Sequence, residues 1–141
     1  MLDITSANAT VAMDAEGLFS INLENFSADS SFTSDTIQTA ETRMGVDGKM
    51  AAGFTPAIKP LTINLEAGSP STEYMQLLRQ VQEVNKKPYR VQMVISIPAI
   101  GKRYTFSEGV LQSFKGLPDG QNVLSPTQWV FHFETMSAEG L

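Results

Sequence analysis

The 141-residue chain has no cysteine, one histidine and one tryptophan. Without cysteine there is no disulfide framework, zinc–thiolate centre or thiol catalysis, although the absence says little about compartment. His132 has no second histidine with which to hold zinc. It alternates with Trp129, Phe131 and Phe133, which makes it a surface or interface imidazole on a strand, with no partner evident for work as a general base. Long apolar runs are missing too. None reaches bilayer length, and the opening MLDITSANATVAMDAEG has neither the basic start nor the apolar core of a signal peptide, so the expectation is a soluble protein made in the cytoplasm with no membrane partner. Positive charge is scarce in the front half: up to Pro70, only Arg43, Lys49 and Lys59 stand against Asp3, Asp14, Glu16, Glu24, Asp29, Asp35, Glu41, Asp47 and Glu66. Gripping phosphate needs clustered Lys and Arg, so a nucleic-acid grip is disfavoured.

Other chemistry is equally thin. Asp14 and Glu16 lie in turn-like sequence, where a solvated pair is the ordinary reading, and their spacing matches no calcium loop. Gly45, Gly48 and Gly53 do not follow a strand and open a helix, as a phosphate-binding loop would. The seven methionines, Met44, Met50, Met75 and Met93 among them, could line an adaptable binding surface, but scattered as they are they read as core filling. No catalytic residue, metal or cofactor is expected, and the chain reads as a non-enzyme.

What is present is alternation. Phe19, Ile21 and Leu23 alternate with Ser20, Asn22 and Glu24; Leu61, Ile63 and Leu65 with Thr62, Asn64 and Glu66; Tyr89 to Ile97 and Trp129 to Phe133 repeat the period, and a shorter case runs from Tyr104 to Leu111. The Ser/Thr/Asp-rich SADSSFTSDT reads as a loop, and Pro118-Asp119-Gly120 as a turn before the last strand. One segment breaks the rhythm. Tyr74, Leu77, Leu78, Val81 and Val84 share one helical face, with Ser69 as N-cap, Pro70 at the first helical position and Asn85-Lys86-Lys87-Pro88 as the stop, placing a helix at about 70–86. The expected fold is mainly β with one helix (α+β): an antiparallel β-sandwich or barrel flanked by a single amphipathic helix, in one domain spanning 1–141.

The stretch TRMGVDGKMAAGFTP predicts a hairpin arm at about 40–56. Asp47-Gly48 reads as a two-residue type I′ turn, pairing Val46 with Lys49, Met44 with Ala51 and Glu41 with Phe54. In that register both faces are mixed and small. A lone hairpin is marginal in water, so this one should lean on something outside itself. A flexible edge hairpin on a monomer and an arm packed between chains both satisfy the composition.

Taken together, a Ser/Thr-rich loop, the hairpin MGVDGKMAAGFTP, the strand, loop and helix of LTINLEAGSPSTEYMQLLRQVQ and an aromatic-rich meander resemble the tail tube proteins of contractile-tailed bacteriophages, over about Gly17 to Met136. Type VI secretion and bacteriocin inner-tube proteins are similar in fold. The resemblance implies hexameric rings stacked into a hollow tube inside a sheath, a conduit for DNA at ejection. The partners it implies are further copies of the chain, sheath, baseplate and tape-measure proteins, and double-stranded DNA that passes without tight binding. The implied place is the virion tail tube, assembled in the host cytoplasm. It also gives Met44, Val46, Asp47, Gly48, Met50 and Phe54 an inter-subunit role, and makes Asn22, Glu24, Asn64 and Glu66 candidates for a lumen or polar strand face. An inner-tube subunit of a secretion or bacteriocin system, and a small ligand-binding β-sandwich, remain alternatives. The ligand-binding reading asks for an exposed aromatic cluster, whereas Tyr74, Tyr89, Tyr104 and Trp129 are assigned to core faces.

Overall fold

The computed structural model describes residues 9–23 and 32–141. Nine strands and one α-helix follow in the order β1 (Thr10–Ala15), β2 (Phe19–Asn22), β3 (Phe32–Thr33), β4 (Ala40–Met44), β5 (Met50–Phe54), β6 (Lys59–Leu65), α1 (Ser71–Asn85), β7 (Val91–Ile97), β8 (Lys102–Lys115) and β9 (Thr127–Gly140). Seven of the strands form one curled antiparallel sheet, ordered β2-β1-β7-β8-β9-β6-β3, half of a barrel. Strands β4 and β5 form a separate two-stranded sheet. The chain is thus mainly β with one helix, as its alternation implies.

The alternating apolar residues are the core. Val11, Met13, Leu61, Ile63, Leu65, Val91, Met93, Ile95, Trp129, Phe131 and Phe133 are all buried on one face of the sheet, and Met75 and Leu78 of α1 join them. Each such side chain contributes about 1.5–3 kcal/mol when removed from water. Trp129 takes its polar edge inside without loss: its indole N–H donates to the Thr127 hydroxyl at 3.0 Å, which donates to the Leu65 carbonyl at 3.3 Å.

Several expectations need correction. Strand β1 was not anticipated; Asp14 sits on it rather than in a turn, and only Glu16 opens the turn to β2. Within SADSSFTSDT, Phe32 and Thr33 pair with Ile63 and Thr62 as a short edge strand. The helix turns a different stripe inward: Ser71, Met75 and Leu78 are buried, whereas Tyr74, Leu77 and Val84 are 40%, 41% and 79% exposed. Two overlapping stripes both satisfy helical spacing, and only the sheet decides between them. Ser69 acts one residue outside its expected place: Pro70 occupies the cap position, and the buried Ser69 hydroxyl accepts the Ser71 N–H at 3.3 Å.

Candidate assembly interface

The arm is built by its turn. Gly48 N–H donates to the Gly45 carbonyl at 3.0 Å, Gly45 N–H to the Lys49 carbonyl at 2.8 Å, and Lys49 N–H to Asp47 Oδ1 at 3.1 Å. Gly48 alone takes a left-handed φ, +83°. This is a three-residue loop with a glycine bulge, not a two-residue type I′ turn, because the Asp47 carboxylate satisfies the chain beyond it without a positive φ of its own. The pairing therefore moves by one residue, to Met44 with Met50, Thr42 with Ala52 and Ala40 with Phe54.

That shift changes the character of the arm. Directly opposed residues share a face, so Ala40, Met44, Met50, Ala52 and Phe54 lie together with Thr42, while Glu41 and Arg43 lie on the other side. The faces are not both mixed: one is apolar. Nor are Met44 and Met50 core filling, since they are 66% and 64% exposed, and Phe54 is 83% exposed. Val46 stands fully exposed at the tip. At the base of the arm, Phe54 borders a shallow cleft with Ile58, His132 and Thr135.

A second unfinished feature lies beside that cleft. The first half of β9 is held between β8 and β6, with Thr127 opposite Leu65 and Phe133 opposite Lys59. The rest, from Glu134 to Gly140, pairs with β8 alone among the described residues. The Lys59 ammonium donates to the Glu134 carbonyl at 3.1 Å, where the second neighbour ends.

The polar candidates do not form one cluster. Asn22, on β2, is exposed at one margin of the sheet. Asn64, opposite Gln128, and Glu66 are half-buried at and just beyond β6, and β1, β7, β8 and β9 separate them from Asn22. All three alternate with core residues, which places them on the sheet's other face. Glu24 lies outside the described residues. The three arginines of the back half are engaged with acids: Arg79 meets Glu83 at 3.1 Å, Arg90 meets Glu108 at 3.0 Å and Glu16 at 4.0 Å, and Arg103 meets Glu139 at 3.5 Å. Among the described residues no group of three or more His, Asp or Glu could hold a metal ion. No helix there is long and apolar enough to cross a membrane. Sequence reasoning missed the β9 margin; its length is visible only when strand ends are compared.

The fold as a whole is similar to that of chains from contractile injection systems. A chain of the anti-feeding prophage baseplate, in its 6-fold symmetrised structure, superposes with a TM-score of 0.66 at 14% identity, covering 99% of this chain and 97% of that one. A chain from the sheath/tube terminator of PVC, an extracellular contractile injection system, in its extended state gives 0.64 at 11% identity, with 99% of each chain covered. One from the PVC sheath-tube complex gives 0.64 at 12% identity, covering 99% of this chain and 93% of that one. In fold, then, the chain is similar to these chains of contractile injection systems. It belongs to the family described as tail fiber protein gp32, whose model matches residues 2–137. None of the curated proteins compared matches the chain.

Proposed function

We propose that the chain is a structural, non-enzymatic subunit of the inner tube of a phage tail. Copies close into hexameric rings, the rings stack, and the tube conducts DNA during ejection. In this reading residues 1–141 are one domain carrying an assembly arm, and the inter-subunit residues are Met44, Val46, Asp47, Gly48, Met50 and Phe54. The observation that carries it is the arm's exposed apolar face. A hairpin stands alone poorly in water, and an exposed apolar surface of this kind marks a contact with another chain. The half-paired β9 adds support, because an open strand margin is a template for pairing.

The polar face bearing Asn22, Asn64 and Glu66, with Glu24 from outside the described residues, is the proposed lumen side: neutral or acidic, and unable to hold passing duplex DNA. Further copies, sheath, baseplate and tape-measure proteins are the proposed partners, and the virion tail the proposed place. The likeness to chains of an anti-feeding prophage baseplate and a PVC sheath-tube complex favours one second reading, an inner-tube subunit of a secretion or bacteriocin contractile system.

Sedimentation velocity and negative-stain microscopy over a concentration series test the assembly. Rings, and tubes at high concentration, are the expected result. A monomer at every concentration, with no rings after sheath or baseplate partners are added, overturns it.

A further inference from the structure

One groove lies apart from the arm, between the C-terminal end of α1 and the β8 segment around Phe114. Its chemistry runs against that of the chain. The protein carries a net charge of −5, yet this groove gathers Arg79, Lys86 and Lys87 against the single carboxylate of Glu83. That carboxylate is already engaged, 3.1 Å from the Arg79 guanidinium. Among the described residues neither Lys86 nor Lys87 belongs to an ion pair, although the Lys87 ammonium lies over the Tyr89 ring, 5.5 Å from its centroid.

Side-chain contacts hold the aromatic ledge of the groove in place. Phe114 stacks on the buried Trp129, with ring centroids 5.4 Å apart and 14° between planes. The Arg79 guanidinium sits over the Phe114 ring, 5.4 Å from its centroid, and Arg79 Nε donates to Gln76 Oε1 at 2.9 Å. A cation fixed on an aromatic ledge loses little freedom when it meets a partner. Lys86 stands at the edge of this groove in a conformation unusual for lysine. Its φ is +54°, a left-handed residue just past the helix end, where glycine is the unstrained choice.

We infer that this groove docks an acidic peptide segment of a partner protein, one whose carboxylates alternate with apolar side chains. Lys86 and Lys87 receive the carboxylates, while the half-exposed Phe114 receives an apolar group. Charge complementarity selects this occupant: the surface is cationic at its rim and apolar at its floor, whereas a phosphate backbone would engage only the rim.

The test is fluorescence anisotropy on the full chain. Three probes are titrated: a labelled peptide alternating Asp or Glu with Leu and Phe, its Asn/Gln counterpart, and a short DNA duplex. The acidic peptide should bind, and its amide counterpart should bind roughly tenfold more weakly. Lys86→Gly combined with Lys87→Glu should weaken acidic-peptide binding by a similar factor. The glycine relieves the left-handed strain, so the unfolding temperature should hold or rise, which separates lost docking from lost folding. Lys102→Glu, at the far end of β8, should leave binding unchanged. Failure of the acidic peptide to bind, indifference to the Lys86 and Lys87 changes, or tighter binding of the duplex would each overturn the inference.

Discussion

Gly109 is the residue at which a single methyl group does most harm. A Cβ there would collide with the Phe133 ring, which sits directly across the β8–β9 ladder and packs at 5.2 Å against Phe106. Gly109→Ala should therefore cost about 1–3 kcal/mol through overpacking, read as a lower urea midpoint with an unchanged slope. Nothing local in SEGVLQ announces this, since the constraint comes from a residue far along the chain. Asp119 is a milder case. A hydrogen bond from the Lys115 ammonium, then its charge, holds the Asp119 carboxyl below the usual carboxylate value. The folded pKa being lowered, the pair's contribution is present above the unfolded pKa and disappears as pH falls through the folded one. A carboxyl-carbon NMR titration should place the midpoint on the acid side of an ordinary aspartate, and Lys115→Met should move it back up. A midpoint unmoved by that change would remove the pair from the loop between β8 and β9.

At the scale of elements, the arm makes the sharpest prediction. Because only Gly48 needs the left-handed region, Gly48→Val alone should strain the turn by roughly 1–3 kcal/mol and misplace Met44 against Met50, while Asp47 contributes only its hydrogen bond to Lys49. Near-native circular dichroism with impaired assembly is expected. Global unfolding would place the arm in the core, and unchanged assembly would take it out of the interface. The elements themselves were unevenly legible. Strands β6, β7 and β9 alternate large apolar and polar residues, and that pattern is enough to place them. In β1 the sequence TVAMDA alternates apolar with small residues, so its inward face was easy to pass over. The arm was visible as a hairpin, but its register was not: Asp-Gly serves both a two-residue turn and a three-residue loop, and a one-residue difference exchanges the partner of every side chain. The helix showed its period but not which of two stripes meets the sheet.

For the whole molecule, the distribution of charge leads to a prediction about DNA. With a net charge of −5 and with Arg90 and Arg103 engaged by carboxylates, the chain should show no appreciable affinity for short duplexes even at low ionic strength, where contacts to phosphate are least screened. Anisotropy on monomer and assembled material checks this; tight binding that falls steeply with added salt would replace the conduit by a DNA-packing or capping role. The uneven flanking of β9 has a further consequence, for exchange with solvent. In an antiparallel ladder successive amides point to alternate sides, so between Glu134 and Gly140 about half of the N–H groups face β8 and the others face no strand among the described residues. In the free subunit, deuterium should enter this stretch in two populations, fast and slow, residue by residue. If a neighbouring copy supplies the missing strand, the fast population alone should slow on assembly. The time course of that change would report ring closure from within a single strand, with no label attached.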